Sequence, residues 1–157
     1  MAIVDEVAVF NKIALYENTI TGVDNSFGFA SNPDAVNRAS LPVVIHYSPG
    51  FRSEPGAHHN VWKNTLNVQS ALLVVPRQLK SGQLSLLEAQ TVPYGLLWRK
   101  KFQTASVVND MLSLGLTHFS LDEGRYGVGN SAGNSVLTWG GVDYFGWVFT
   151  FTLIERN

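Results

Sequence analysis

Asn134-Ser135-Val136-Leu137-Thr138-Trp139-Gly140-Gly141-Val142-Asp143-Tyr144-Phe145-Gly146-Trp147-Val148-Phe149-Thr150-Phe151-Thr152-Leu153-Ile154-Glu155 is the stretch whose reading decides the fold. From Trp147 onward, Trp147, Phe149, Phe151 and Leu153 share one face of an extended strand, and Val148, Thr150, Thr152 and Ile154 share the other. Aromatic and β-branched residues alternating with period two suit a pleated, half-buried surface. Gly140-Gly141 separates this run from Val136–Trp139, and a Gly-Gly pair supplies the positive φ angles of a tight hairpin turn. The reading predicts a closing C-terminal β-hairpin whose second strand is central to a sheet, with Phe149 and Phe151 buried.

Working outward, residues 3–17 read as a helix. Ile3, Val7, Phe10 and Ala14 recur at helical spacing, broadened by Val4, Ala8 and Leu15, with Asp5 and Glu6 in the first turn. Val23–Phe29 reads as a short strand, and Ser31–Ser40 as a loop around Asn32-Pro33-Asp34. Leu41–Tyr47 is a strand with its proline at the start. Ser48–Asn60 contains two Pro-Gly pairs and reads as a long loop. A loop longer than about 12 residues in a small domain is usually functional or mobile. Trp62–Val75 is a strand ended by Pro76. Leu84–Ala89, Pro93–Phe102 and Val107–Leu114 read as helices, Gly115–Leu121 as a strand and Asp122–Gly133 as a glycine-rich loop. The order implies a single α+β domain over 1–157, a mainly antiparallel sheet with helices packed on one face.

Composition bounds the function. Of 157 residues, 45% are apolar and only 15% charged, against a usual charged share of about 25%. Either other chains cover part of the surface, or the chain is an apolar-rich monomer. A net charge of −1 argues against a nucleic-acid binder, and the lack of cysteine removes disulfides, zinc thiolates and thiol nucleophiles. No run approaches the roughly 18 apolar residues of a membrane span. Met1-Ala2-Ile3-Val4-Asp5-Glu6 lacks the basic region of a secretory signal, so the chain is expected to be made in the cytoplasm and used as made.

Candidate chemistry is sparse. His58-His59 is adjacent, with rings diverging in an extended segment and no accompanying ligand spacing, which argues against a metal site. His46 and His118 read as ordinary, partly exposed sheet residues. No GxSxG elbow occurs, and Gly124–Gly133 lacks the GK[ST] ending of a phosphate loop. Arg99-Lys100-Lys101 sits where cations complement a helix C-terminus, and Asp122-Glu123 has no acidic partner for acid–base work. The expectation is no catalytic, cofactor-binding or metal-ligating residue. The 48–60 segment is instead the candidate interface, with Phe51 and Arg52 as anchors and His58 and His59 beside them.

The layout resembles the tail terminator and related tail-completion proteins of long-tailed bacteriophages across nearly the whole chain. It has an N-terminal amphipathic helix, the Leu41-Pro42-Val43-Val44-Ile45 strand, a Pro/Gly-rich segment, the long strand from Trp62, a helical middle and the closing hairpin. Its most specific element is Leu137-Thr138-Trp139-Gly140-Gly141-Val142-Asp143-Tyr144-Phe145-Gly146. The resemblance implies a structural virion protein of the tail or neck: a homo-oligomeric ring, typically of six copies, at the head-proximal end of a tail tube. Its partners would be the tail tube protein and the head–tail connector or neck proteins, with no catalytic residue, cofactor, membrane or specific nucleic acid. The alternatives are another neck or minor tail protein, a monomeric small-ligand-binding α+β domain with Trp62, Trp98 and Trp139 lining a pocket, or a small hydrolase.

Overall fold

The computed structural model describes residues 3–58, 60–77, 84–128 and 137–156. Helix α1 (Glu6–Glu17) leads into a short β1 (Asn25–Ser26), then β2 (Val43–Pro55) and β3 (Trp62–Pro76). Helices α2 (Leu84–Thr91), α3 (Tyr94–Phe102) and α4 (Ala105–Leu112) follow, and β4 (His118–Val128), β5 (Thr138–Trp139) and β6 (Val142–Arg156) complete the chain. The sheet runs β1-β2-β3-β6-β4, with β5 paired to β6. β1 is parallel to β2 and every other pairing is antiparallel. This is an α+β fold, and β6 is central in it.

The period-two pattern of β6 puts two different cores on the two faces of the sheet. On one face Phe149, Phe151 and Leu153 join Leu66, Val68 and Leu72 of β3 beneath α1, α3 and α4. Trp98 of α3 stacks on Phe149 at 4.6 Å and 4° between planes, and Phe102 meets Phe151 edge-on at 4.8 Å. On the other face Val148 and Tyr144 join Val43, Ile45, Ala71 and Leu73 beneath Leu137, Trp139 and the chain leading into β2. Burial from both sides explains why Ala71–Val74 is a continuous apolar run rather than an alternating one. Phe149→Ala and Phe151→Ala should each cost about 3–5 kcal/mol, the range for emptying a core phenylalanine site. Wild-type urea midpoints for both variants would contradict this packing.

Gly140 and Gly141 have φ of 58° and 77°, so the chain turns between Trp139 and Val142 as the Gly-Gly pair requires. The hairpin is short at its β5 arm, and the long partners of β6 are β3 and β4.

Three local expectations are corrected. The described part of the 48–60 segment is not a long loop: β2 continues to Pro55, paired with β3 down to Trp62, and the Gly56 amide donates to Val61 O between the two strands. Pro49-Gly50 lies in a bulge between Tyr47 and Gly50, with Gly50 at φ 117°, and Pro55-Gly56 ends the strand. A proline on an outer strand edge costs no ladder bond, so the first Pro-Gly pair bends a strand rather than breaking it. Likewise β4 runs through Asp122 to Val128 across a bulge at Leu121/Glu123, and residues 129–133 lie outside the described ones. Of the face expected for residues 3–17, Val4, Phe10 and Ala14 are buried, but the buried stripe of α1 runs through Val9, Phe10, Ile13, Ala14 and Glu17, and Ile3, Val7 and Leu15 are exposed. Asp5 is the N-cap, accepting from the Val7 amide, and Lys12 and Tyr16 both reach Asp110 of α4. Those polar anchors set the rotation of the helix.

Candidate interaction surface

Phe51 and Arg52 are both exposed on β2, as an interface reading requires, but they do not form one patch. Phe51 is opposite Leu66 and therefore on the helix-bearing face, whereas Arg52 is opposite Thr65 on the other. Phe51 is 67% exposed. Arg52 is held by Glu54 at 2.9 Å in a solvated pair, a type that contributes little to stability. His58 is exposed in the turn closed by the Gly56 amide donating to Val61 O at 2.6 Å. His59 lies outside the described residues.

The sheet ends in two different edges. β1 covers only Val43 and Val44 of β2, and the Asn32 side chain then caps His46, donating to its carbonyl at 2.7 Å and accepting from its amide at 3.2 Å. From Ser48 to Pro55 the outer side of β2 has no strand partner among the described residues. β4 forms the opposite edge, with β6 as its only strand partner among them, and Asp122–Arg125 is exposed. Beside β4, on the helix-bearing face, a groove of about 450 Å³ opens between α3 and the strand, with Trp147, Phe149, Leu121 and Leu96 in its lining. Arg99 stands at its rim with Asp122 and Glu123. Glycine makes the groove possible: a Cβ at Gly95 would stand 2.7 Å from the Trp147 ring, and one at Gly124 would stand 3.1 Å from Phe149.

A buried polar centre was not legible as such in the sequence. His46, expected to be partly exposed, is 5% exposed, and Glu17 is fully buried. His46 Nε2 lies 2.5 Å from Glu17 Oε1, and its Nδ1 lies 2.5 Å from the Phe27 carbonyl. Ser26 Oγ donates to the same Glu17 oxygen at 3.1 Å, and Trp98 Nε1 donates to the other at 3.0 Å. Both imidazole nitrogens therefore face oxygen acceptors, an arrangement satisfied when the ring is doubly protonated and Glu17 is a carboxylate. Burial is the largest influence on His46 and lowers its pKa. The Glu17 charge, its hydrogen bond and the Phe27 carbonyl together outweigh burial and raise it above the usual 6.5. The centre ties α1, β1, β2 and α3 together inside the protein; none of its side chains lines the groove, and its Trp98 stacks on Phe149 of the groove wall.

The three tryptophans proposed to line a common pocket do not converge. Trp98 is buried under the helices, Trp139 belongs to the core on the opposite face, and Trp62 is 48% exposed where β3 begins. Trp147 lines the groove instead, with its indole N–H donating to Thr91 O at 2.8 Å. Among the described residues no group of three or more His, Asp or Glu side chains is placed to hold a metal ion, and no helix is long and apolar enough to cross a membrane. No protein-family model matches the chain, and no curated protein matches it.

Proposed function

We propose that this chain is a structural virion protein, a subunit of a closed ring at the head-proximal end of a phage tail, where it caps the tail tube and joins it to the neck. The observation that carries the reading is a pair of unlike sheet edges at opposite sides of the sheet, Ser48–Pro55 of β2 and β4, which have no further strand partner among the described residues. Bulges and charged side chains limit where such edges can pair, and between them Gly50–Glu54 of β2 and Glu123–Val128 of β4 leave regular strand backbone that a neighbouring chain can complete. Two different edges on one subunit suit a head-to-tail contact, which closes into a ring when the rotation divides the circle. Exposed Phe51, Trp62, Val92 and Leu96 add apolar surface that a neighbour would cover. The order of helix, long strands, helical middle and closing strand is the order on which the family resemblance rests.

The test is a phage genome lacking this gene. Tails of uncontrolled length, or tails that fail to join heads, are the expected result. Normal tails joined to heads would exclude the terminator role. If a defect appears elsewhere in the tail, the chain is another neck or minor tail protein.

A further inference from the structure

We propose that successive copies join by antiparallel pairing of the β4 edge of one subunit with the Ser48–Pro55 edge of β2 in the next, with Phe51 seated in the neighbour's groove between α3 and β4. The inference rests on the ring reading and specifies its contact.

Strand direction supports it first. β2, β3, β6 and β4 alternate in direction, so β2 and β6 run one way and β3 and β4 the other. When an identically oriented copy is placed beside β4, its β2 arrives antiparallel. The joint then repeats the pairing found inside the subunit. Because the two edges differ, the contact is head-to-tail. Pairing β4 with itself would need a two-fold axis and would stop at a dimer.

Side-chain direction supports it second. A sheet continued from copy to copy keeps its faces. Phe51 is on the helix-bearing face through its register with Leu66, and the groove opens on that same face beside β4. An exposed aromatic ring on one edge thus faces an apolar groove next to the other. The groove, at about 450 Å³, is larger than a phenylalanine side chain, and Leu96 at its wall is 46% exposed. Charge is compatible as well. Arg52 and Glu54 on β2, and Glu123 and Arg125 on β4, share the helix-free face through their partners Thr65, Lys63, Thr150 and Val148. Each edge carries a cation and an anion two residues apart in a solvated pair, and β4 adds a second acid, Asp122, which accepts from the Ser120 and Thr152 hydroxyls. A register setting Arg52 against Glu123 brings opposite charges together across the joint.

The chain has no cysteine, so in the isolated protein introduced thiols report without background, and in tails the single-cysteine variants supply the background. Arg52→Cys/Glu123→Cys, treated with a short bis-maleimide both as isolated protein at high concentration and in purified tails, should give a ladder of covalent multimers ending at one closed species. Each single-cysteine variant should remain monomeric on the same denaturing gel. Phe51→Ala should weaken self-association by about ten-fold or more, the effect of losing a seated aromatic anchor. Its unfolding midpoint should stay at the wild-type value, since the side chain is exposed. Rings that assemble without any cross-link ladder, dimers from a single-cysteine variant, or unchanged association of Phe51→Ala would overturn the edge contact while leaving the ring reading standing. Absence of self-association both in isolation and in tails would overturn both. A normal gene-deletion phenotype, by contrast, removes the terminator role without bearing on the contact.

Discussion

Gly146→Ala is expected to destabilise the protein by about 4 kcal/mol or more, the exceptional end for a single substitution. Gly146 lies in the central strand opposite Leu73, beside the bulge between Leu73 and Val75. A Cβ there would overlap the Leu72 carbonyl oxygen and stand 3.0 Å from its carbonyl carbon. Overpacking against a side chain usually costs about 1–3 kcal/mol because rotamers give way. Here the obstacle is backbone held by the β3–β6 ladder, so relief requires breaking sheet hydrogen bonds. Gly141→Ala is the natural comparison. Its φ of 77° strains an L-residue, but a Cβ there meets nothing within 4 Å, so it should lose only about 1–2 kcal/mol. Thermal or urea melts of both variants test the ranking, and equal losses would show that the β3–β6 approach is looser than described.

The second large effect is at Glu17. Removing one partner of a buried ion pair typically costs about 3–5 kcal/mol, because the other charge is left unpaired. Glu17→Ala would strand His46, Ser26 Oγ and the Trp98 indole N–H at once. Glu17→Gln keeps an acceptor and should lose less. The pair also predicts a direction with pH. His46 has its folded pKa raised above 6.5, so its contribution is fully present below about pH 6.5, where the ring is protonated in both folded and unfolded states. That contribution is lost as pH rises from 6.5 through the folded pKa. Wild-type stability should therefore fall across that interval, and Glu17→Gln should lack the slope. A wild-type melting temperature that rises through the same interval would contradict the assignment of His46 as an imidazolium paired with Glu17.

Both sites show how unevenly the sequence discloses what it encodes. Gly146 stands inside an alternating strand, where a glycine signals a bulge or a close backbone approach in general terms only. Which chain approaches depends on the pairing of β6 with β3, across a separation that no local pattern spans. Glu17 stands at the end of a helix read as amphipathic from Ile3, Val7, Phe10 and Ala14, broadened by Val4, Ala8 and Leu15, a pattern that does not place a charged residue in the core. Its burial follows from α1 lying over β2 and α3, which brings His46, Ser26 and Trp98 to one carboxylate. The candidate anchors Phe51 and Arg52 were legible as exposed groups. Their separation onto opposite faces followed once their segment proved to be strand.

By itself, the sequence determined what periodicity and turn chemistry encode within a few neighbouring residues. These were the alternation of β6 with Phe149 and Phe151 inward, the Gly140-Gly141 turn, the helices after residue 84 and the α+β class. Tertiary structure alone decided the extension of β2 through a Pro-Gly bulge and of β4 through Asp122, because a ladder partner stabilises residues whose own propensity favours a loop. It also decided the buried charge pair, the groove beside α3 and the two sheet edges that lack a further strand partner among the described residues. Each is made by segments distant in the chain, and only the packed sheet sets their separation and direction.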